Sequence, residues 1–258
     1  MIFKKKKQSL LWNYLDRNLD GYFDISDYFV KSTNNLPDWY KKVKAVKSIP
    51  FKDNGFAHSA SNVKTCPSFV DLFKNSLVFK CPIDVDIEVG MNGMDYTTPT
   101  ESHHMLTVTT HTLIKEKSGS QMGKFWDDTM QNIKLSLPIT MWASHKKTKM
   151  VFLPNTYFDP RQELQVAPGI VDLLPDNPLQ MAVNFFVDLK GLGPVSTKTI
   201  NLKNGQPLGL IYFPGGLPQL ERGYTVPKLR KNFFGDWISR IKKYDEKNQK
   251  KSKCPFHF

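Results

Sequence analysis

Hydrophobic and polar residues alternate along much of the chain, and the clearest example lies at residues 83–89. There Ile83, Val85, Ile87 and Val89 are separated by acidic residues. Successive side chains of a strand point to opposite faces of a sheet, so this spacing predicts a strand with one buried and one wet face.

Further short strands are predicted at regular spacing along the second half of the chain, separated by clusters of Pro, Gly, Asn and Asp. Their segments read HMLTVTTHTLI, IKLSLPITMW, TKMVFLP, ELQVAPGIVDLL, LQMAVNFFVDL, STKTINL and PLGLIYF. A run of short strands with almost no helical pattern between them is typical of an antiparallel sandwich, jelly roll or barrel. We therefore expect a mainly β protein with a core domain over residues 62–225.

Helical spacing is confined to a few places outside those strands. Two short helices are predicted around an acidic loop, the first from Leu10, Leu11, Tyr14 and Leu15, and the second from Ile25, Tyr28 and Phe29. Pro67 is suited to the first turn of another helix, which a short apolar strand follows after Asn75. Near the C-terminus an apolar stripe faces a basic one, and the stripe consists of Phe234, Trp237, Ile238 and Ile241.

These elements predict four parts of the chain. Residues 1–35 form a helix-loop-helix module, and residues 36–61 form a connector rich in Pro, Asn and Ser. The β core follows over residues 62–225, and residues 226–258 form a basic amphipathic tail. An amphipathic helix of that kind either packs on its own domain or lies on a membrane surface.

The acidic loop has the spacing of a calcium-binding loop. Such a loop of about twelve residues supplies oxygen ligands from its positions 1, 3, 5, 7, 9 and 12, with glycine at position 6 for the turn. Gly21 takes the sixth place, and the predicted ligands are Asp16, Asn18, Asp20, the Tyr22 carbonyl, Asp24 and Asp27. The last place holds Asp where Glu is usual, which favours a weaker site. The alternative is an acidic turn in which Asp24 or Ser26 caps the second helix.

Histidines offer a second metal hypothesis. His103 and His111 share parity along one predicted strand region, so both can point to the same face and bind a transition metal with a distant third ligand. The chain has neither an HExxH motif nor a CxxC pair, and no histidine has an acidic residue two places later. Ordinary strand histidines are the alternative interpretation.

The net charge of +12 is concentrated near the two ends of the chain. Residues 4–7 are all lysine, and residues 228–253 hold ten Lys or Arg against three acidic residues. Tails of this kind either keep a protein solvated or bind an anionic partner such as RNA, DNA, anionic lipid or an acidic protein. A domain that reads duplex DNA usually carries its basic residues on the folded surface instead.

The chain shows no signal of export or of membrane insertion. It lacks the ~18 uninterrupted apolar residues of a membrane helix, and its start has no signal-peptide pattern. The three cysteines, Cys66, Cys81 and Cys254, form no CxxC pair, so reduced thiols in a cytosolic compartment are expected.

Sequence motifs of common enzymes are also missing, including GxSxG, GxGxxG and the P-loop motif. This favours a binding or structural role over catalysis.

Residues 166–214 resemble the central segment of the dUTPase and dCTP deaminase superfamily. They contain VAPGIVD, an apolar strand with Asn184, and INLKNGQPLGLIYF in the order of that family's Gly-Val-Ile-Asp turn and following strands. The resemblance implies a β-clip fold and gives Asp172 the place of the aspartate that binds the deoxyribose and orients the attacking water. Asp172 is followed by LLPDNP instead of the family's Tyr-Arg-Gly, and the phosphate-binding element is replaced by LPNTYFDP. The alternative interpretation of Asp172 is therefore a turn residue.

A wider resemblance covers residues 36–258. The segments TCPSFVDLFKNSLVFKCPIDVDIEV, SHHMLTV, VFLPNTYFDP, VAPGIVD, NGQPLGLIYFP and KCPFHF are similar, in this order, to an uncharacterised family of marine tailed phages. Bacterial proteins of the DUF6065 group share the central layout. The resemblance implies a viral protein that acts in the virion or in the cytoplasm of an infected host, and it brings no assigned activity.

Three functional hypotheses follow. The first is a phage-encoded, non-catalytic structural or binding protein whose partners are virion proteins or further copies of the chain. The second is an accessory β-clip protein or enzyme that binds a nucleotide or another small molecule near Asp172 and Asn184. The third is a metalloenzyme that uses His103 and His111.

Overall fold

The computed structural model describes most of the chain between residues 8 and 227. The described ranges are 8–15, 24–44, 49–53, 56–60, 63–90, 93–98, 105–110, 130–158, 163–193 and 195–227. Strands dominate them, and the prediction of a mainly β, antiparallel sandwich with few helices is confirmed.

The strands are numbered in chain order. They are β1 (Ser9–Tyr14), β2 (Phe29–Lys31), β3 (Ile49–Asp53), β4 (Phe56–Ala60), β5 (Ser76–Lys80), β6 (Val85–Gly90), β7 (Gly93–Thr97), β8 (Thr107–Thr110), β9 (Met130–Ala143), β10 (Thr148–Pro154), β11 (Leu164–Val166), β12 (Gly169–Leu173), β13 (Leu179–Asp188), β14 (Thr197–Leu202), β15 (Pro207–Tyr212) and β16 (Gln219–Arg222). The helices are α1 (Ile25–Tyr28), α2 (Asp38–Lys42) and α3 (Pro67–Lys74), with a 3-10 turn at Ser32–Asn34.

Two larger sheets make up the body of the fold. The first has the order β11-β13-β9-β1-β16, with β8 also paired to β9, and the second has the order β12-β10-β15-β5-β2. A three-stranded sheet, β14-β6-β7, and the hairpin β3-β4 complete the described strands. Among these strands, β1 and β16 form the one parallel pair.

One hydrophobic core joins the sheets. Its largest fully buried side chains include Phe79, Phe185 and Phe213, and buried residues of both larger sheets and of the three-stranded sheet belong to the same cluster. The alternation predicted for residues 83–89 is observed in β6, where Val85, Ile87 and Val89 are buried and the intervening acidic side chains are exposed.

The two larger sheets are in direct contact where β11 packs on β15. A Cβ atom placed on Gly209 would lie 2.5 Å from Cγ2 of Val166 and 3.2 Å from the Leu153 carbonyl oxygen. The absence of a side chain at this position therefore allows Val166 to pack directly on the β15 backbone.

The helix predicted before the acidic loop is wrong, because residues 9–14 form strand β1. Leu10, Trp12 and Tyr14 are buried, and the residues between them are only partly covered. The burial therefore repeats every two residues, as in a strand. Strand β1 lies between β9 and β16 in the first sheet. Strand β2, which follows it in the chain, pairs with β5 in the second sheet, so both strands belong to the core.

The helix predicted at Pro67 is confirmed as α3, and the helix predicted after the acidic loop is confirmed as α1 for Ile25 and Tyr28, whereas Phe29 begins strand β2. Asp24 is the N-cap of α1, and its Oδ1 accepts a hydrogen bond of 2.8 Å from the Ser26 backbone N–H. Pro67 lies in the first turn of α3, where a backbone N–H has no acceptor within the helix, so the N–H that proline lacks is not needed there. The basic C-terminal helix falls on residues 228–258, which lie outside the described residues.

Cys81 illustrates how burial controls thiol chemistry in this core. Burial raises the pKa of its thiol to about 12, and Sγ donates to the Ile83 carbonyl at 3.1 Å. We expect a brief pulse of iodoacetamide at pH 8 to modify Cys66, which is partly exposed, and to leave Cys81 intact until denaturant is added. Peptide mass spectrometry distinguishes the two sites, and equal labelling of both in the native protein would contradict the buried position.

Candidate functional site

A pocket of about 380 Å³ lies where the segment around α2 meets the end of β10 and the start of β15. Three stretches far apart in the sequence line it, namely residues 35–41, 155–158 and 206–207. The apolar lining residues are Leu36, Pro37, Trp39, Phe158 and Pro207, and the amide residues are Asn35, Asn155 and Gln206. This mixture of an apolar wall and a few polar groups is typical of small-molecule sites.

Trp39 is the exposed aromatic residue of this pocket, with 41% of its surface open to solvent. Its indole N–H donates to the Tyr157 carbonyl, which fixes the plane of the ring. Its edge packs against Tyr40 at a centroid distance of 5.7 Å, and Tyr40 in turn packs against the buried Phe73 at 5.1 Å. Trp39 is therefore held in place by hydrogen bonding and ring packing although much of it faces water.

Helix α3 supplies the support beneath this aromatic group. Phe69 and Phe73 lie one helical turn apart, and both make edge contacts with Tyr157, at 5.3 and 6.0 Å. The helix is tied to β15 by the Tyr212 hydroxyl, which donates to Asp71 at 2.6 Å and whose pKa is raised by that bond. The aromatic residues of α3 thus help to position one wall of the pocket.

Asn155 has a buried acceptor without a partner. The residue is 3% exposed, and its Nδ2 donates to the Pro207 carbonyl at 2.7 Å, which fixes the orientation of the amide. The side-chain oxygen Oδ1 has less than 1 Å² open to solvent and no hydrogen-bond partner among the described residues. Leaving such a buried acceptor unpaired costs about 1–3 kcal/mol, so a ligand that donates to it recovers free energy.

The other polar lining groups are arranged without a net charge. Gln206 accepts a hydrogen bond from the Lys203 backbone N–H through Oε1 at 3.0 Å, which leaves its Nε2 as the donor end of the amide. Asp38 and Lys41 form an exposed ion pair of 3.0 Å, and hydrogen bonding from Lys41 lowers the pKa of the Asp38 carboxyl. The pocket therefore presents amide donors and acceptors beside a balanced pair of charges.

Asp172 is placed in strand β12, which corrects its interpretation as a turn residue. It lies opposite Lys149 in the ladder with β10, because the segment Gly169–Leu173 is extended along that strand. Its carboxylate forms ion pairs with Lys147 and with Lys149, the latter at 3.1 Å. These bonds, led by that from Lys147, lower the pKa of the carboxyl, so Asp172 is a paired surface acid.

Substitution of Asp172 tests this pairing. At neutral pH we expect Asp172→Asn to lower stability by less than ~1 kcal/mol, because exposed ion pairs contribute little. A lowered pKa in the folded state means that the contribution is present above the unfolded-state pKa and is lost as the pH falls through the folded-state pKa. The difference in urea stability between wild type and variant should therefore vanish in acid, and a difference that grows in acid would contradict the assignment.

Asn184 lies in β13, opposite Lys134 in the first sheet, and its backbone carbonyl accepts from Ala167. Its Oδ1 is buried without a partner among the described residues. Asp172 belongs to the second sheet, and neither residue lines the pocket around Trp39. The structure thus assigns the two residues that the sequence grouped into one site to different sheets.

The predicted metal residues fall largely outside the described part of the chain. This holds for His103 and His111, and for Asp16, Asn18, Asp20 and Tyr22 of the calcium loop. Of the remaining loop residues, Asp24 caps α1 and Asp27 is exposed in its first turn. Within the described ranges, no group of three or more His, Cys, Asp or Glu side chains is placed to hold a metal ion.

Calcium binding by the loop stays a prediction. A calcium loop of this kind is normally entered from a helix, whereas here strand β1 precedes it. A ligand that binds the folded state raises its melting temperature, so millimolar calcium should raise that temperature relative to chelator, and magnesium should do so less. Equal melting curves in calcium and in chelator would remove the hypothesis.

Comparison with known proteins gives no relative: no protein-family model, no curated protein and no solved structure matches this chain. In the described part of the structure, no helix has both the length and the apolar character needed to cross a bilayer.

Proposed function

We propose that this protein is a non-catalytic binding protein that takes up a small molecule in the pocket beside Trp39. The observation that carries the proposal is the buried, oriented amide of Asn155, whose Oδ1 has no hydrogen-bond partner in the part of the chain that the structure describes. Buried polar groups in native structures are nearly always hydrogen-bonded. Three asparagine side-chain oxygens lack a partner among the described residues, and of these asparagines Asn155 is the one that lines this pocket.

The chemistry of the lining supports binding more than bond cleavage. Amides and aromatic rings recognise and orient a ligand, but they supply neither a nucleophile nor a general base at neutral pH. The carboxylate of the lining, Asp38, is exposed and engaged with Lys41. A lowered pKa makes Asp38 a weaker base still.

A ligand screen on the full chain tests this function. The probes are a panel of neutral sugars, nucleosides and amino acids, detected by saturation-transfer NMR and by melting temperature. At least one probe should bind saturably and raise the melting temperature, and Trp39→Ala should abolish its binding. Tyr224→Ala is the matched control, because Tyr224 is 92% exposed and does not line the pocket. Failure of every probe with folded protein, or equal binding by Trp39→Ala, would overturn the proposal.

The biological setting is proposed from the resemblance to proteins of marine tailed phages. We place the protein in the virion or in the infected cell, where its partners are virion proteins or further copies of the chain. Quantitative mass spectrometry of purified virions tests the choice. Many copies per particle would support a structural place for the binding protein, and expression without incorporation would assign it to the host cytoplasm.

A further inference from the structure

The pocket beside Trp39 is matched to an uncharged ligand. The charged side chains of its lining, Asp38 and Lys41, neutralise each other at 3.0 Å and are both well exposed. A phosphate or carboxylate would require an additional cation or a set of converging N–H groups to compensate its desolvation. Nucleotides and organic acids are therefore poor candidates for this pocket.

The amide groups specify a ligand that both donates and accepts. Asn155 Oδ1 requires a donor, since its Nδ2 already bonds to Pro207. Gln206 offers Nε2 as a donor, since its Oε1 already accepts from Lys203. A hydroxyl group rotates to donate to the first and accept from the second, and no fixed tautomer is needed.

Trp39 adds a flat apolar wall to these amides. It lines the pocket, and because its indole N–H is bonded to the Tyr157 carbonyl, the ring contributes apolar surface there and no free polar donor. An aromatic face of this kind covers the C–H face of a saturated ring, while the hydroxyls at the ring's edge stay available for amides. A nucleobase can stack on the same wall and hydrogen-bond through its edge, so nucleosides are the competing ligand class in the test.

We propose that the ligand is a neutral sugar, bound as one monosaccharide unit with its ring on Trp39 and its hydroxyls on Asn155 and Gln206. This inference rests on the proposed function and specifies the ligand class of the same site. The volume of about 380 Å³ is at the lower end of the range for ligand pockets and suits a single ring. The unit can be free or the terminal residue of a longer glycan.

Binding requires a small rearrangement at the base of the pocket. Asn155 Oδ1 has less than 1 Å² open to solvent, so a sugar hydroxyl reaches it only after neighbouring side chains of the lining shift. Rotamer changes on this scale are common when ligands bind. The hydroxyl that enters then satisfies the buried oxygen.

The experiment titrates the full chain with a panel of neutral monosaccharides and their short oligomers, followed by saturation-transfer NMR. A matched set of nucleosides is titrated in parallel. The informative variants are Trp39→Ala, which removes the wall, and Gln206→Glu, which keeps the Oε1 acceptor but replaces the Nε2 donor. Gln219→Glu adds the same charge on the exposed strand β16 and is the control. All variants are first checked for an unchanged melting curve.

We expect at least one neutral sugar to bind saturably with a Kd of ~1 mM. Trp39→Ala and Gln206→Glu should each weaken it at least about tenfold, while Gln219→Glu leaves it unchanged. Binding of nucleosides with the same dependence on Trp39 would refute the assignment of a sugar as ligand, while the proposed binding function would stand. No binding of either class by folded protein would overturn both. If the affinity for the sugar is unchanged in both pocket variants, the sugar binds elsewhere and the proposed site is refuted.

Discussion

Replacing Phe79 by alanine lowers the free energy of unfolding by about 3–5 kcal/mol, the usual cost of removing a buried phenyl ring. Phe79 is 1% exposed and lies opposite Phe29 in the ladder between β5 and β2. The two rings stack at a centroid distance of 5.4 Å. The variant therefore loses both the buried area and a favourable cross-strand pair. Urea unfolding followed by circular dichroism measures the loss.

The control for Phe79→Ala is Ile170→Ala in β12, where the side chain is 66% exposed. That variant should stay within about 0.5 kcal/mol of wild type, as surface substitutions usually do. A double-mutant cycle with Phe29→Leu separates the ring pair from the burial. Equal losses for Phe79→Ala and Ile170→Ala would refute the assignment of Phe79 to the core.

Gly209→Ala is the second substitution with a large expected effect, a loss of about 1–3 kcal/mol from overpacking. The new Cβ would lie 2.5 Å from Val166 Cγ2 and 3.2 Å from the Leu153 carbonyl oxygen. Val166 is 2% exposed and cannot turn aside into solvent, and the carbonyl belongs to the neighbouring strand. Relief therefore requires the two large sheets to separate slightly.

A second-site change tests the cause of this loss. Val166→Ala removes the atom that the new Cβ meets, so the double variant should lose less stability than the sum of the two single variants. Gly215→Ala is the matched control, because a Cβ there meets no atom within 4 Å and its effect should be within about 0.5 kcal/mol. Strict additivity of Gly209→Ala and Val166→Ala would show that their contact does not cause the loss.

The core strands could be read from the sequence because their burial is one-sided. In β6 the pattern of buried and exposed side chains is the pattern of apolar and acidic letters. Strand β1 was missed because Leu10, Leu11, Tyr14 and Leu15 fit a helical period equally well. The deciding residue was Trp12, which shares its parity with Leu10 and Tyr14 and is buried with them. Its partners β9 and β16 are distant in the chain, so local spacing could not reveal the pairing.

The pocket could not be read from the sequence for a different reason. Its amides are ordinary residues within their own segments, and Asn155 reads as a turn residue in LPNTYF. Only the fold shows that Nδ2 donates to the Pro207 carbonyl and that no described residue pairs with Oδ1. The opposite happened at Asp172. The sequence motif predicted a functional carboxylate there, but in the fold this carboxylate forms ion pairs with two surface lysines.

The parallel pairing of β1 with β16 has a consequence for biosynthesis. Ser9 Oγ donates to Glu221 of β16 at 2.9 Å across 212 residues. On the other side of β1, the Thr140 hydroxyl of β9 donates to the Asn13 carbonyl across 127 residues. At translation rates of about 5–20 residues per second, the ribosome needs roughly ten to forty seconds to span the larger interval. The apolar strand that carries Leu10 and Trp12 leaves the ribosome before β9 and β16, so it acquires its last neighbour late. During that interval its open edges can pair with other nascent chains, so chaperones that shield this strand should raise the yield of folded protein.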